Sequence, residues 1–173
     1  MLATHIDAER RYDEIRKLTI NAAQQRIKQR PDYAHIMLKT FDSKALAASK
    51  VWERSSNRRV NWDWLEGYSA FKFRYPKRFE LAIWHKNSLA SLALGRPTYN
   101  GSALRLDFIE ANPDNSEDLK VFPIALFVMM TYAEALGATE LRVMKPINDT
   151  VKQYYEATGL IYVPKGDYLY MRL

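Results

Sequence analysis

The sequence predicts an α+β protein in which helices flank a mixed β-sheet. Two observations support this prediction. The first is a change of hydrophobic period near residue 78, from helical spacing before it to short apolar runs separated by turns after it. The second is a strand–helix–strand–helix pattern between Ser102 and Leu160. A chain of 173 residues predicts one domain, with a mainly helical part (1–78) and a sheet-containing core (79–173).

Three helices are predicted in the N-terminal part. The first runs from Asp7 to about Arg30, where Pro31 ends it because the residue before proline avoids the helical region. The second covers 44–52, and Asp42 or Ser43 is its N-cap. The third follows Asn61 or Asp63 and turns Trp64, Leu65 and Tyr68 inward. Residues 32–40 do not favour either a helix or a strand.

Three sequential antiparallel strands follow. Phe79–His85 and Leu89–Gly95 are joined by a short polar turn, which is typical of a hairpin. A second turn region leads to the third strand, Ala103–Ala111. This order predicts a meander at the start of the sheet.

The C-terminal part alternates helices and strands. A very apolar helix is predicted over Glu117–Gly137, capped by Asn115, Ser116 or Asp118 and ended by Gly137. Leu141–Met144 is expected to lie parallel to the strand before that helix. Asn148 caps a last helix that ends at Gly159, and Asp167–Leu173 closes the sheet.

Composition narrows the function classes. The sequence holds no cysteine, so no disulfide or thiolate nucleophile is formed within it, and a cytoplasmic location is expected. The three histidines lack metal-ligand spacing, so no metal site is predicted. No run of about 18 apolar residues indicates a membrane span. The N-terminus does not resemble a signal peptide.

Positive charge is concentrated in the first half of the chain. Residues 1–80 hold 17 Lys and Arg against 10 Asp and Glu, whereas residues 81–173 hold 9 against 10. This pattern is typical of a solvated basic face or of a surface that binds a polyanion such as RNA or an acidic protein. Trp52, Trp62 and Trp64 lie among arginines and either stack on nucleic acid bases or anchor a small core; we favour the core.

One segment resembles a known family. Asn148–Leu160 reads NDTVKQYYEATGL, and its Asn, Tyr-Tyr-Glu and Gly-Leu have the spacing seen in the last helix of GCN5-related N-acetyltransferases (GNATs). The order of strands and helices from residue 79 to 173 is similar to that family as well. The resemblance implies acetyl-CoA as the cofactor and an amine as the acceptor.

The resemblance also implies roles for individual residues. Tyr155 is placed as the general acid that protonates the departing thiolate. Glu110 is placed as the base, with Asp107 as the alternative. Strand alternation puts these two carboxylates on opposite faces unless a bulge intervenes, and the family often has one there.

The cofactor loop departs from the family pattern. Lys120-Val121-Phe122-Pro123-Ile124-Ala125 stands where the family has Gln or Arg, two residues, Gly, one residue, and Gly or Ala. Pro123 lacks an N–H, Phe122 adds bulk, and the acids of residues 114–118 repel a pyrophosphate. The expected cofactor-binding residues are Ala111, Lys120, Val121, Ile124, Ala125 and Asn148.

Two functions therefore remain open. The first is a CoA-dependent N-acyltransferase acting on a small molecule, a protein or aminoacyl-tRNA; some members of the resembled family are toxins that acetylate charged tRNA. The second is a catalytically impaired module with this fold that binds protein or nucleic acid. The C-terminal strand can also pair across a homodimer.

Overall fold

A computed structural model describes residues 2–173, with side chains from Thr4 onward. This part of the chain forms five α-helices and seven β-strands. In chain order they are α1 (Leu2–Ile27), β1 (Ile36–Lys39), α2 (Ser43–Lys50), α3 (Trp64–Arg74), β2 (Phe79–His85), β3 (Ser88–Pro97), β4 (Ala103–Ala111), α4 (Phe122–Leu136), β5 (Glu140–Met144), α5 (Asp149–Ala157), β6 (Ile161–Val163) and β7 (Tyr168–Arg172).

All seven strands belong to one mixed sheet. Their spatial order is β1-β2-β3-β4-β5-β7-β6. The β4–β5 pair is parallel and every other neighbouring pair is antiparallel. The parallel pair is joined through α4, as the crossover rule predicts. The predicted α+β class is confirmed.

Most predicted elements occur, and three of the predicted caps are observed. Asp42, Asp63 and Asn148 each accept a hydrogen bond from the backbone N–H three residues later, at 2.7, 3.1 and 2.8 Å. Gly137 ends α4 in the left-handed conformation, with φ of 78°. β2 and β4 have the predicted bounds.

The prediction for the start of α4 is wrong. The helix begins at Phe122 rather than Glu117, and its N-cap, Val121, makes no side-chain cap bond. The expected cap Asn115 instead donates to the backbone oxygen of Ala90 at 2.9 Å, which ties the loop to β3. Two short strands, β1 and β6, were not predicted, because each offers only three or four residues of pattern.

The sheet separates two cores. On its first face, β-strand side chains pack against α1, α4 and α5 and bury residues such as Ile20, Met129 and Tyr155. On its second face, α2 and α3 bury a smaller cluster that includes Phe41 and Tyr68. Trp52 and Trp64 belong to this second core at 3% and 5% exposure, so their anchoring role is confirmed. The prediction that Leu65 points inward is wrong, because Leu65 is 50% exposed next to the buried Trp64.

Charged residues attach α1 to the sheet. The side chains of Arg16, Arg78 and Glu80 are almost fully buried, and Glu9 lies beside them. Arg78 donates to both carboxylate oxygens of Glu9 at 2.8 and 2.9 Å, and Arg16 donates to the backbone oxygen of Pro76 at 2.7 Å. Arg16 also lies 3.6 Å from Glu80. Since a buried charge is costly when unpaired, the four groups stabilise the fold only together.

Replacing Arg16 with Met tests this attachment. The variant leaves Glu80 with one cation fewer and frees the backbone oxygen of Pro76, so the free energy of unfolding should fall by about 3 kcal/mol. Urea unfolding followed by circular dichroism measures it. The matched control is Lys17→Met on the exposed side of the same helix, where the side chain is 62% exposed. An Arg16→Met loss no larger than that of the control contradicts the role of the buried charges.

Candidate active site

The parallel strands β4 and β5 separate part-way along their length. Residues 103–106 of β4 pair with 140–143 of β5, and the pairing ends there. β4 nevertheless continues to Ala111 while paired only with β3. The last five residues of β4 therefore border an opening, called the fork below, on the side where β5 has diverged.

A β-bulge lies at the base of the fork. Leu94 pairs with Phe108 and Gly95 pairs with Leu106, so Asp107 is an extra residue without a partner on β3. Gly95 is required here, because a Cβ atom at this position would lie 2.0 Å from the backbone oxygen of Arg105.

The bulge changes which side chains of β4 share a face. Before it, Leu104 and Leu106 point into the first core. After it, Phe108 contacts Trp62, and Glu110 contacts Trp64 of the second core. Asp107 and Glu110 consequently lie on the same face, which is the outcome expected if a bulge intervenes.

Glu110 is held by three hydrogen bonds. Arg58 donates to its two carboxylate oxygens at 2.8 and 3.0 Å, and the Trp64 indole donates to Oε1 at 2.7 Å. The ion pair is buried, with 10% of the Arg58 side chain and 6% of the Glu110 side chain exposed. This pairing raises the pKa of Arg58. Glu110 can thus form one wall of the site, but few of its lone pairs are open to a substrate.

Asp107 has an oxygen that is not hydrogen-bonded. Its Oδ1 accepts from Arg105 at 2.7 Å, whereas Oδ2 is buried and accepts no hydrogen bond from the residues that the structure describes. The Arg96 Nε lies 3.5 Å from Oδ2. Burial raises the pKa of Asp107, although Arg105 and Arg96 oppose the shift. A carboxylate with a raised pKa and an oxygen free of hydrogen bonds has the properties of a general base.

Tyr155 lies on the other face of the sheet, in the first core. Its ring stacks on Phe122 with centroids 4.2 Å apart, and 8% of the residue is exposed. Burial raises its pKa to about 12. The hydroxyl is therefore protonated at neutral pH and can act as a proton donor. The stacked Phe122 ring fixes the orientation of the Tyr155 ring and also covers one of its faces.

The first turn of α4 can bind an anion with a reduced set of donors. The backbone N–H groups of Val121, Phe122 and Ile124 have no acceptor among residues 2–173. Pro123 has no N–H, and the N–H of Ala125 donates to the Val121 oxygen at 3.0 Å. These three free amides and the helix dipole are the features that bind a pyrophosphate.

Charged residues near this turn affect anion binding in opposite directions. Lys120 is exposed immediately before the helix and adds a positive charge. Among the acids of the preceding loop, Asp114 accepts hydrogen bonds from Ser55 and Asn57 at 3.0 and 3.2 Å, which partly offsets its charge. The residues present therefore fit a pyrophosphate, with one amide fewer than the family pattern offers.

The remaining predicted cofactor residues have separate positions. Ala111 is exposed at the end of β4, and Asn148 uses its side chain to cap α5. The side chains of Val121, Ile124 and Ala125 are in the first core, so only their backbone can reach a ligand. The structure thus brings β4, the start of α4 and α5 to the fork, while Tyr155 and Glu110 face opposite sides of the sheet.

Arg58 is the site residue that sequence reasoning missed. The segment ERSSNRR was assigned to a polar loop, and nothing in it indicates a partner 52 positions away. The only signal is the charge itself, because an arginine close to three tryptophans in sequence is a frequent partner for a buried carboxylate.

Comparisons with known proteins identify the fold. No family model matches the sequence, and no curated protein sequence matches it. Solved structures do match, each over 80% of this chain. A spermidine N-acetyltransferase SpeG mutant from Vibrio cholerae has a TM-score of 0.60 at 12% identity and is covered over 94%. Ard1 from Thermoplasma volcanium has a TM-score of 0.55 at 11% sequence identity, and the match covers 98% of its chain. A GNAT-family acetyltransferase from Staphylococcus aureus has a TM-score of 0.59 at 9% sequence identity, and the match covers 99% of its chain.

The chain therefore has the GNAT fold. Identities this low establish the fold alone, and the resemblance seen in Asn148–Leu160 is confirmed at that level. Within residues 2–173, none of the helices has both the length and the apolar character that a membrane crossing requires.

Replacing Asp107 with Asn tests its burial. Because the pKa of Asp107 is raised in the folded state, the unfolded chain ionises first as the pH rises, and the wild type loses stability over that interval. Asn does not ionise. The variant's melting temperature, measured relative to the wild type, should therefore rise as the pH increases above the ordinary aspartate pKa of about 4.

Melting curves across that pH range measure the difference. Asp32→Asn, at a side chain that is 74% exposed, controls for the loss of one negative charge. A difference between Asp107→Asn and wild type that stays constant or shrinks with rising pH is inconsistent with the assigned burial.

Proposed function

We propose that the protein is an acyl-CoA-dependent N-acyltransferase that transfers an acetyl group from acetyl-CoA to a primary amine. The observation that supports this most is the fork. A bulged β4 diverges from β5 beside a helix N-terminus with free amides, and this occurs within a GNAT fold. An extended ligand can lie between the diverging strands with its anionic end at that helix.

The cofactor is held through the backbone and one cation. The amides of Val121, Phe122 and Ile124 would donate to the pyrophosphate, and Lys120 would pair with its charge. Ala111, at the end of β4, and Asn148, at the start of α5, remain proposed contacts. When bound, acetyl-CoA supplies an acetyl group activated as a thioester.

The proton transfers are assigned to two side chains. Asp107 Oδ2 is assigned to accept a proton from the acceptor amine, because it is the carboxylate oxygen without a hydrogen-bond donor at the base of the fork. The Tyr155 hydroxyl, which is protonated at neutral pH as in any tyrosine, is assigned to donate a proton to the leaving thiolate. Glu110, the base expected from sequence, is assigned instead to positioning, through its bonds to Arg58 and Trp64.

Acetyl-CoA binding is the direct test of this function. Calorimetric titration should show saturable binding, and Lys120→Ala should weaken it by about tenfold, since a charged contact to phosphate contributes about 1.4 kcal/mol. Lys165→Ala, at an exposed lysine in the β6–β7 connection, is the matched control. No heat and no thermal shift at millimolar acetyl-CoA exclude the enzyme.

Tyr155→Phe tests the proton donor. The substitution keeps the stack on Phe122 and removes the hydroxyl, so kcat should fall by about 10²–10⁴ with little change in acetyl-CoA affinity. CoA release in the presence of an amine acceptor measures the rate.

The neighbouring tyrosine provides a control for this variant. Tyr154 is 39% exposed on the same helix, and Tyr154→Phe should keep the wild-type rate. An unchanged rate in Tyr155→Phe removes that residue from the mechanism.

A second candidate function follows from Phe122 and Pro123. Phe122 stacks on Tyr155, and Pro123 removes one amide from the first turn of α4. These features favour a non-catalytic module that uses the fold to bind protein or nucleic acid. Failure to bind acetyl-CoA, combined with a folded protein, supports this alternative.

The partner predictions rest on charge alone. Residues 40–78, which include α2 and α3, contain nine Lys and Arg against four Asp and Glu. RNA or an acidic protein is therefore a proposed partner of this segment. Retention on tRNA that weakens steeply with salt is the expected behaviour of such a surface. Pairing of two copies through the C-terminal strands remains a prediction.

A further inference from the structure

We propose that the acceptor site is an arc of aromatic rings on the second face of the sheet, and that the acceptor is an aromatic amine carrying a carboxylate. This inference rests on the proposed acyltransferase function, because it names the substrate class of the same site. The aromatic arc consists of Trp64, Trp62, Phe108, Phe71 and Tyr75.

The arc is continuous between the two carboxylates of β4. Centroid distances along it are 5.8 Å for Trp64–Trp62, 5.2 Å for Trp62–Phe108, 6.4 Å for Phe108–Phe71 and 4.7 Å for Phe71–Tyr75. Trp64 donates to Glu110 at one end. At the other end, Arg96 covers the Tyr75 ring at 4.5 Å and approaches Asp107.

Part of the arc is open to solvent. Phe108 is 37% exposed, although it is located in the middle of a sheet strand next to the fork. Trp62, Phe71 and Tyr75 are half-buried, whereas Trp64 is buried. Rings that expose an apolar face beside a polar group are typical of sites that bind a planar ligand.

Charge on this face selects against cationic acceptors. Both carboxylates are paired, Glu110 with Arg58 and Asp107 with Arg105, and Arg96 adds a third guanidinium nearby. The three guanidinium groups and the two carboxylates together carry a net charge of +1 when both carboxylates are ionised. A polyamine would meet net repulsion, so the acceptor must bring a negative group of its own.

Two of these arginines have donors left for an anion. The Nη atoms of Arg96 donate to no acceptor in the part of the chain that the structure describes, and the side chain is 28% exposed. The Nε and Nη2 atoms of Arg105 contact Asp107, and its Nη1 is left to donate to a ligand. A carboxylate is the group that such planar donors bind well.

The unpaired Oδ2 oxygen of Asp107 defines the position of the amine. Oδ2 is buried without a hydrogen-bond donor, which is costly unless a ligand supplies one. The ammonium group of the acceptor supplies that donor. The aromatic ring of the acceptor then lies on Phe108 and Phe71, and its carboxylate binds Arg96.

Ligand binding without acetyl-CoA tests this site separately from the function. Intrinsic tryptophan fluorescence, which reports on Trp62 and Trp64, is titrated with three amines. The first is phenylalanine, the second is phenethylamine, which lacks the carboxylate, and the third is spermidine. Phenylalanine should bind at least tenfold more tightly than phenethylamine, and spermidine should not bind.

Variants locate the binding. Phe108→Ala and Arg96→Gln should each weaken phenylalanine binding about tenfold, and Arg96→Lys should restore only part of it, because lysine lacks the planar donor pair. Phe73→Ala is the control, since Phe73 is 70% exposed on α3 and outside the arc. Circular dichroism verifies that each variant folds.

The outcomes separate the two proposals. Phenylalanine binding without acetyl-CoA binding supports the aromatic arc and overturns the acyltransferase. Acetyl-CoA binding with equal affinity for spermidine and phenylalanine overturns the arc as the acceptor site. An effect of Phe73→Ala equal to that of Phe108→Ala also overturns it.

Discussion

The extra residue at Asp107 is the constraint on which the candidate site depends. The bulge ends the pairing of β4 with β5 and reverses the facing of the residues that follow it. Without that reversal, Glu110 would point into the apolar first core, where an ionised carboxylate has no partner. The bulge in turn requires the close approach of β3, which is possible because residue 95 is a glycine.

Local pattern predicts those parts of the fold that local interactions decide. β2 and β4 have long apolar runs between turns, and the caps at Asp42, Asp63 and Asn148 act within three residues. The start of α4 was missed because it depends on the burial of Phe122 against Tyr155, which no capping signal records. The same holds for Arg58, whose partner is distant in sequence. Site geometry was therefore less predictable than fold class.

The two faces of the sheet are held by different physical means. The first face has a large apolar core, and α1 is attached to its edge by buried charges that need one another. The second face has a smaller core rich in aromatic residues, completed by the Arg58–Glu110 pair. Such pairs add little net stability but permit few alternative arrangements. We infer that the second face is the one adapted to a ligand, because the unpaired Asp107 oxygen and the partly exposed Phe108 ring lie on it.

Pro123 and Phe122 affect cofactor binding more than they affect the fold. A proline in the first turn leaves the helix intact, since the N–H it lacks would have no intrahelical acceptor. The loss is one donor to a phosphate, about 1.5–3 kcal/mol for a hydrogen bond to a charged group. Phe122 offsets part of this loss by holding the Tyr155 ring in one orientation, so less ordering is required when a substrate binds. For the proposed acyltransferase, these two residues therefore favour weak cofactor affinity together with a proton donor held in one orientation.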